Sequence, residues 1–207
     1  MAKKGSGNWI ERQASDHFVR QRNQFSTRSR AFFKLTEINK KRPFIKKGHK
    51  IIDLGAAPGG WSEAASRLVG QTGHILSVDS KNLESVKNST FLQIDCLNKN
   101  LLDEIEKTFS LDSVDAVISD MAPNLSGIKP KDEAAWLELV EVSMAVALAF
   151  LKKNGVFLVK FFQFGDTVSA YNRIQSRFNE VQRMKPVSSR TDSSEFYVIA
   201  NGKKSLL

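Results

Sequence analysis

Four carboxylates fall at or just beyond the ends of apolar runs in this chain. Asp53 lies in Lys50-Ile-Ile-Asp-Leu-Gly55, Asp79 ends His74-Ile-Leu-Ser-Val-Asp79, Asp95 follows Thr90-Phe-Leu-Gln-Ile94, and Asp120 follows Val114-Asp-Ala-Val-Ile-Ser119. The first of them leads into Gly55-Ala-Ala-Pro-Gly-Gly-Trp-Ser62. That turn has the outer spacing of a phosphate loop, but Trp61 stands where the lysine belongs, so a triphosphate would find no charge partner. The dinucleotide pattern fails as well, because position 57 is alanine. A ligand without phosphates fits better. Asp79 sits 24 residues beyond Gly55, where a carboxylate can accept both hydroxyls of a ribose. Asp95 would lie at an adenine edge, and Asp53 could take an ammonium group. A positively charged nucleoside without phosphate is S-adenosylmethionine. Each aspartate alone could merely cap a turn or helix; the coincidence of four carries the reading.

A second set of residues could act on a substrate. Lys160 interrupts the apolar run Gly155-Val-Phe-Leu-Val-Lys-Phe-Phe162. An ammonium there is costly unless it reaches a cleft or a carboxylate. It could be a general base, a cation beside a reacting atom, or an edge-strand lysine that discourages aggregation. Glu195 opens the last apolar run and could serve the same site or a surface ion pair.

The elements that must position these groups alternate. Strands are expected at 50–54, 74–79, 90–94, 114–119 and 155–161. Trp61, Ala64, Ala65, Leu68 and Val69 recur at the spacing of one helix face. Trp136–Leu151 predicts a long apolar helix ended by Asn154-Gly155, and Tyr171, Ile174 and Phe178 mark another. Residues 181–185 and 195–200 predict an antiparallel hairpin. Residues 122–132 are the most loop-like. The pattern predicts an α/β fold: an open, mostly parallel sheet with an antiparallel last strand and helices on both faces. Ligands of such sheets bind beyond the carboxyl ends of the strands.

The 207 residues carry a net charge of +9, unevenly placed. Residues 1–50 hold 14 Lys/Arg against 3 Asp/Glu, whereas the rest holds 17 against 19. A basic segment on a near-neutral body is the pattern of a polyanion-binding arm, because Lys and Arg at phosphates release condensed counterions. We therefore expect residues 1–48 to form a basic, nucleic-acid-binding arm and a helix packed on the body, and 49–207 the α/β domain. The single Cys96 excludes an intrachain disulfide and thiolate-cluster metal sites, and no metal is expected. No apolar run reaches the ~20 residues of a membrane span. The start lacks a signal-like apolar stretch, so a cytoplasmic monomer is expected.

Four segments together resemble one family. Asp53-Leu-Gly-Ala-Ala-Pro-Gly-Gly-Trp-Ser62, Ser119-Asp-Met-Ala-Pro-Asn-Leu-Ser-Gly127, Val159-Lys-Phe-Phe-Gln163 and Ser29-Arg-Ala-Phe-Phe-Lys-Leu35 are similar to those of the FtsJ/RrmJ family of ribose 2′-O-methyltransferases, and most of all to its bacterial large-subunit ribosomal RNA members. The resemblance runs from about Trp9 to Gly202. It implies a class I, Rossmann-like methyltransferase fold and a Lys-Asp-Lys-Glu catalytic set, here Lys34, Asp120, Lys160 and Glu195. It implies that the nucleic acid met by residues 1–48 is RNA and that residues 49–207 are a methyltransferase domain. It implies contacts of S-adenosylmethionine with Gly59, Trp61, Asp79, Asp95 and Asp120. The implied reaction is methylation of the ribose 2′-hydroxyl of a uridine in the A-loop of 23S ribosomal RNA, on the assembled large subunit. Transfer RNA or a messenger cap is the alternative substrate. A non-catalytic RNA-binding protein is the alternative class, and calorimetry with S-adenosylmethionine separates it, since a plain binder shows no heat.

Overall fold

The computed structural model describes residues 27–163, 166–189 and 193–204. The basic residues before 27, including most of the expected arm, lie outside them. In chain order the elements are α1 (Ala31–Lys41), β1 (Lys50–Leu54), α2 (Gly60–Val69), β2 (His74–Asp79), β3 (Ser89–Gln93), α3 (Leu101–Glu106), β4 (Val114–Ser119), α4 (Lys129–Phe150), β5 (Leu151–Phe162), α5 (Thr167–Arg177), β6 (Phe178–Met184) and β7 (Glu195–Lys203). The strands form one sheet in the order β3-β2-β1-β4-β5-β7-β6. β1 to β5 pair in parallel, and β7 lies antiparallel between β5 and β6. This is the expected mostly parallel α/β sheet.

Strand side chains alternate between two cores. Ile51, Ile75, Ala116, Ile118, Leu158, Tyr197 and Ile199 face α1 and α2, against Phe32, Leu35, Ile38, Trp61 and Ala65. Ile52, Leu76, Val117, Phe157, Val159, Phe161 and Val198 face α3, α4 and α5. Burial on both faces explains the near-continuous apolar runs of β1, β4 and β5. The strand order turns back between β1 and β4, so the crevice beyond their carboxyl ends is the place for a ligand.

Several boundaries differ from the sequence expectation. α4 starts at Lys129, with Pro130 in its first turn, where a missing N–H costs nothing; the loop is correspondingly shorter. The same helix stops at Phe150, before Asn154-Gly155. Buried Leu151 pairs with Val114, Lys152 forms an ion pair with Asp115 at 2.6 Å, and the register then shifts so that Val156 pairs with Ala116. Asn154 and Gly155 thus occupy a strand irregularity. The short α3 had no strong period to announce it, and Phe178 opens β6 instead of ending a helix.

Helix α1 is pinned at both of its faces. Phe32, Leu35 and Ile38 enter the core. Glu37 accepts hydrogen bonds from the backbone N–H groups of Val187 (2.7 Å) and Ser188 (3.0 Å) and from the Ser188 hydroxyl, and pairs with Lys41 at 2.8 Å. Arg30 donates to the Ser188 carbonyl at 2.8 Å. The helix is thereby tied to the connection between β6 and β7. Burial pushes the Glu37 carboxyl upward, but the Lys41 ammonium and the Val187 and Ser188 donors outweigh it and bring it down to about 2. An unfolded glutamate titrates near ~4.3. A depressed acid stabilises the fold above its unfolded value and loses that contribution as pH falls toward its folded one. We therefore expect wild-type stability to drop as pH falls from about 4.5 toward 2. Thermal melts of Glu37→Gln should show a shallower drop in that window.

Candidate active site

The glycine turn leaves β1 because its backbone needs positions that side chains resist. Gly55 has φ 75°, and a Cβ there would lie 2.4 Å from Met121 Cγ. Gly59 has φ 107° and caps α2. Asp79 holds the turn from the neighbouring strand: its Oδ2 accepts from Ala57 N–H at 2.9 Å and its Oδ1 from Lys81 N–H at 2.8 Å.

Beyond the strand ends opens a cleft of about 480 Å³. Its walls include Gly55 and Ala57 of the turn, Asp79, Asp95, Asp120, Met121 to Asn124, and Glu138 and Leu139 of α4. Three of the four sequence-predicted carboxylates therefore meet at one cavity. Cys96 also lines it; burial raises its thiol to about 12, so it acts as an apolar wall. Asp53 does not line the cleft. It is fully buried and accepts from the Ser62 hydroxyl at 2.6 Å, while its Oδ1 has no partner among the described residues. Gly59 and Trp61 are also outside the cleft's lining. A Cβ on Gly59 would meet Arg28 and Leu83, and the Trp61 ring lies in the core, 5.5 Å from Tyr197. The Trp61 indole N–H is buried without a partner among the described residues. A cleft walled by Asp79, Asp95 and Asp120 beside the glycine turn suits a polar, cationic ligand.

The catalytic candidates lie at the same end of the sheet. In the β5–β7 ladder, Lys160 stands opposite Tyr197 and Phe162 opposite Glu195. Side chains of opposed residues share a face, here the face that α1 covers. Lys160 Nζ lies 3.1 Å from Asp120 Oδ1 and also donates to the Asp120 carbonyl. Tyr197 donates its hydroxyl proton to the same Oδ1 at 2.7 Å. Lys34, reaching down from α1, forms an ion pair with Glu195 and stands 5.8 Å from the Tyr197 ring centroid. The structure thus brings Lys34, Asp120, Lys160 and Glu195 into one cluster with Tyr197 at its centre. All four charged side chains are at least 84% buried.

Asp120 belongs to both constellations: it lines the cleft and holds Lys160. Tyr197 had no assigned role in the sequence. The period of β7 puts it on the same face as Glu195, and that was the available signal. Nothing in the sequence marked the α4 wall of the cleft. Burial, and then the carboxylates of Asp120 and Glu195, raise the Tyr197 hydroxyl well above its usual range; it stays a donor.

Comparison with known proteins bears on family and fold. The family profile of FtsJ-like methyltransferases matches residues 27–203. The chain is 39% identical over 197 residues to ribosomal RNA large subunit methyltransferase E of Rhodopseudomonas palustris, covering 94% of this chain and 84% of that one. It is 40% identical to the protein of the same name from Marinobacter nauticus, covering 96% of each. A solved structure from Plasmodium falciparum, described as a ribosomal RNA methyltransferase, superposes with a TM-score of 0.74 at 25% identity, over 85% of this chain and 98% of that one.

Two substitutions test the geometry. Tyr197→Phe removes a donor to a buried carboxylate and should lower stability by about 1.5–3 kcal/mol in denaturant melts. Burial, reinforced by the Asp120 and Asp79 carboxylates, raises Asp53 to about 7 against the lowering effect of the Ser62 hydrogen bond. A raised acid makes the fold lose stability as pH rises from its unfolded value, near ~3.9, through its folded one. Asp53→Asn should flatten that loss between about pH 4 and 7, and pH-dependent melts would show an unchanged slope if the carboxyl were solvated.

Proposed function

The chain belongs to the FtsJ-like methyltransferase family, and we propose that it methylates the ribose 2′-hydroxyl of a uridine in the A-loop of large-subunit ribosomal RNA, with S-adenosylmethionine as donor. The observation that carries this reading is the shared position of Asp120, at once a wall of the acidic cleft and the partner of Lys160. The names of the relatives support the substrate class.

S-adenosylmethionine, when bound, supplies an activated methyl group on a sulfonium. Asp79 would accept the hydroxyls of its ribose and Asp95 would face the adenine edge. Gly59 and Trp61 act through the turn they build: Gly59 by its left-handed backbone, Trp61 by anchoring α2 in the core. Asp120 would meet the positive end of the donor. The protein's remaining task is to hold a 2′-oxygen in line with the methyl group, an alignment worth up to roughly 7–11 kcal/mol. Lys160 is surrounded by acceptors on Asp120, which suits a cation that steadies the developing alkoxide. Lys34 and Glu195 orient it and the acceptor ribose. The basic residues of the first 50 positions would track RNA phosphates. The protein would work as a cytoplasmic monomer on the assembled 50S subunit; no described helix is long and apolar enough to cross a membrane.

The test incubates the protein and labelled donor with free ribosomal RNA, large subunits and transfer RNA in parallel, then maps the labelled position. Label on the 2′-oxygen of one large-subunit uridine is the expected result. Label on transfer RNA, or on a base, contradicts the reading. Lys160→Ala should lower turnover at saturating substrates by at least 100-fold, on the order expected for losing one transition-state charge partner, while donor affinity by calorimetry holds.

A further inference from the structure

A second groove, of about 510 Å³, lies beyond the same strand ends, on the far side of Glu195 from the donor cleft. Gln163, Arg183, Met184, Lys185, Glu195 and Phe196 are among its walls. Glu195 is therefore shared: it pairs with Lys34 in the catalytic cluster and lines this groove. Sharing Glu195 sets the groove beside the catalytic cluster, although Arg183 and Phe196 reach it from the face that α5 covers.

The walls have a particular chemistry. The Arg183 guanidinium lies 4.4 Å from the Tyr171 ring centroid and 5.5 Å from that of Phe196. Two rings thus hold a planar cation in place while it lines the groove, although Arg183 itself sits exposed on the edge strand β6. An exposed guanidinium can stack on a nucleobase. The Gln163 side chain is exposed and makes no hydrogen bond among the described residues, leaving a donor and an acceptor for a base edge. Glu195 is already paired with Lys34, and Lys185 donates to the Ser193 carbonyl, which leaves the Arg183 plane and the Gln163 amide to meet a base. Val168, 61% exposed, adds an apolar surface at the wall.

We propose that this groove holds the base of a nucleotide flanking the methylated one, with Arg183 stacked on it and Gln163 reading its edge. The proposal rests on the RNA substrate assigned above and adds the neighbouring subsite. It makes Arg183 and Gln163 determinants of sequence context, separate from the residues that act on the ribose.

The test is a binding cycle at fixed salt. The ligand is an RNA hairpin containing the mapped target nucleotide, either intact or with an abasic site at the 5′ or 3′ flank. One stacked base is worth roughly 5- to 150-fold in affinity. Wild type should lose about that much with one of the two abasic hairpins. Arg183→Ala should bind the intact hairpin as weakly as wild type binds that abasic one, and lose little more when the base is removed. Arg183→Lys, which keeps the charge without the plane, should behave like Arg183→Ala. Donor affinity should be unchanged in both variants. Losses that multiply, or a lysine variant that binds like wild type, would overturn the subsite. A wild type that methylates no RNA sinks the parent reading and this one with it; a wild type that methylates RNA while the losses multiply sinks this one alone.

Discussion

Two ammonium groups taken out of water, each answered by one carboxylate, are the constraint around which this molecule is arranged. Lys34 pairs with Glu195 and Lys160 with Asp120. Removing such an ion from water costs several kcal/mol, and a partner in good geometry offsets the cost. Four elements must cooperate to supply those partners: α1 brings Lys34, β4 ends at Asp120, β5 carries Lys160, and β7 carries Glu195 and Tyr197. Stability alone does not favour this, since apolar residues of similar volume would serve a core as well or better. The arrangement makes sense as a site whose charges are set before a substrate arrives.

The sheet makes that arrangement reproducible. β7 runs antiparallel between β5 and β6, and its register places Tyr197 directly across from Lys160. The tyrosine hydroxyl then reaches the carboxylate that also holds the lysine. A slip of one residue would turn every one of these side chains to the opposite face, where α4 and α5 leave only apolar room. The apolar alternation that packs two cores is therefore also what aims Lys160, Glu195 and Tyr197. Glu37 does the equivalent service for Lys34, by fixing α1 to the β6–β7 connection.

Much of this was legible in the sequence because period and punctuation are local. The apolar runs of β1, β2 and β4, the helix face from Trp61 to Val69, and aspartates at strand ends each need only neighbouring residues to be read. The resemblance in four short segments added Lys34, whose position on α1 says nothing of chemistry by itself. What stayed hidden depends on distant partners. Leu151 continues as strand because Val114 waits for it across the ladder, a pairing with no local sign. Tyr197 gains its role only when β7 lies beside β5. The third case is Asp53, which reads as a cleft acid from its place before the glycine turn, yet the fold buries it completely beneath Ser62.

The central claim is that one seam joins the acidic cleft to the lysine cluster, with Asp120 as the hinge between donor and acceptor. A crystal structure of the protein with S-adenosylmethionine bound tests this most directly. The account predicts the nucleoside between Asp79 and Asp95, and the methyl-bearing sulfur on the Asp120 side, facing the Lys160 amine. A donor lodged in any other cavity, or one whose methyl group points away from Lys160, would contradict it.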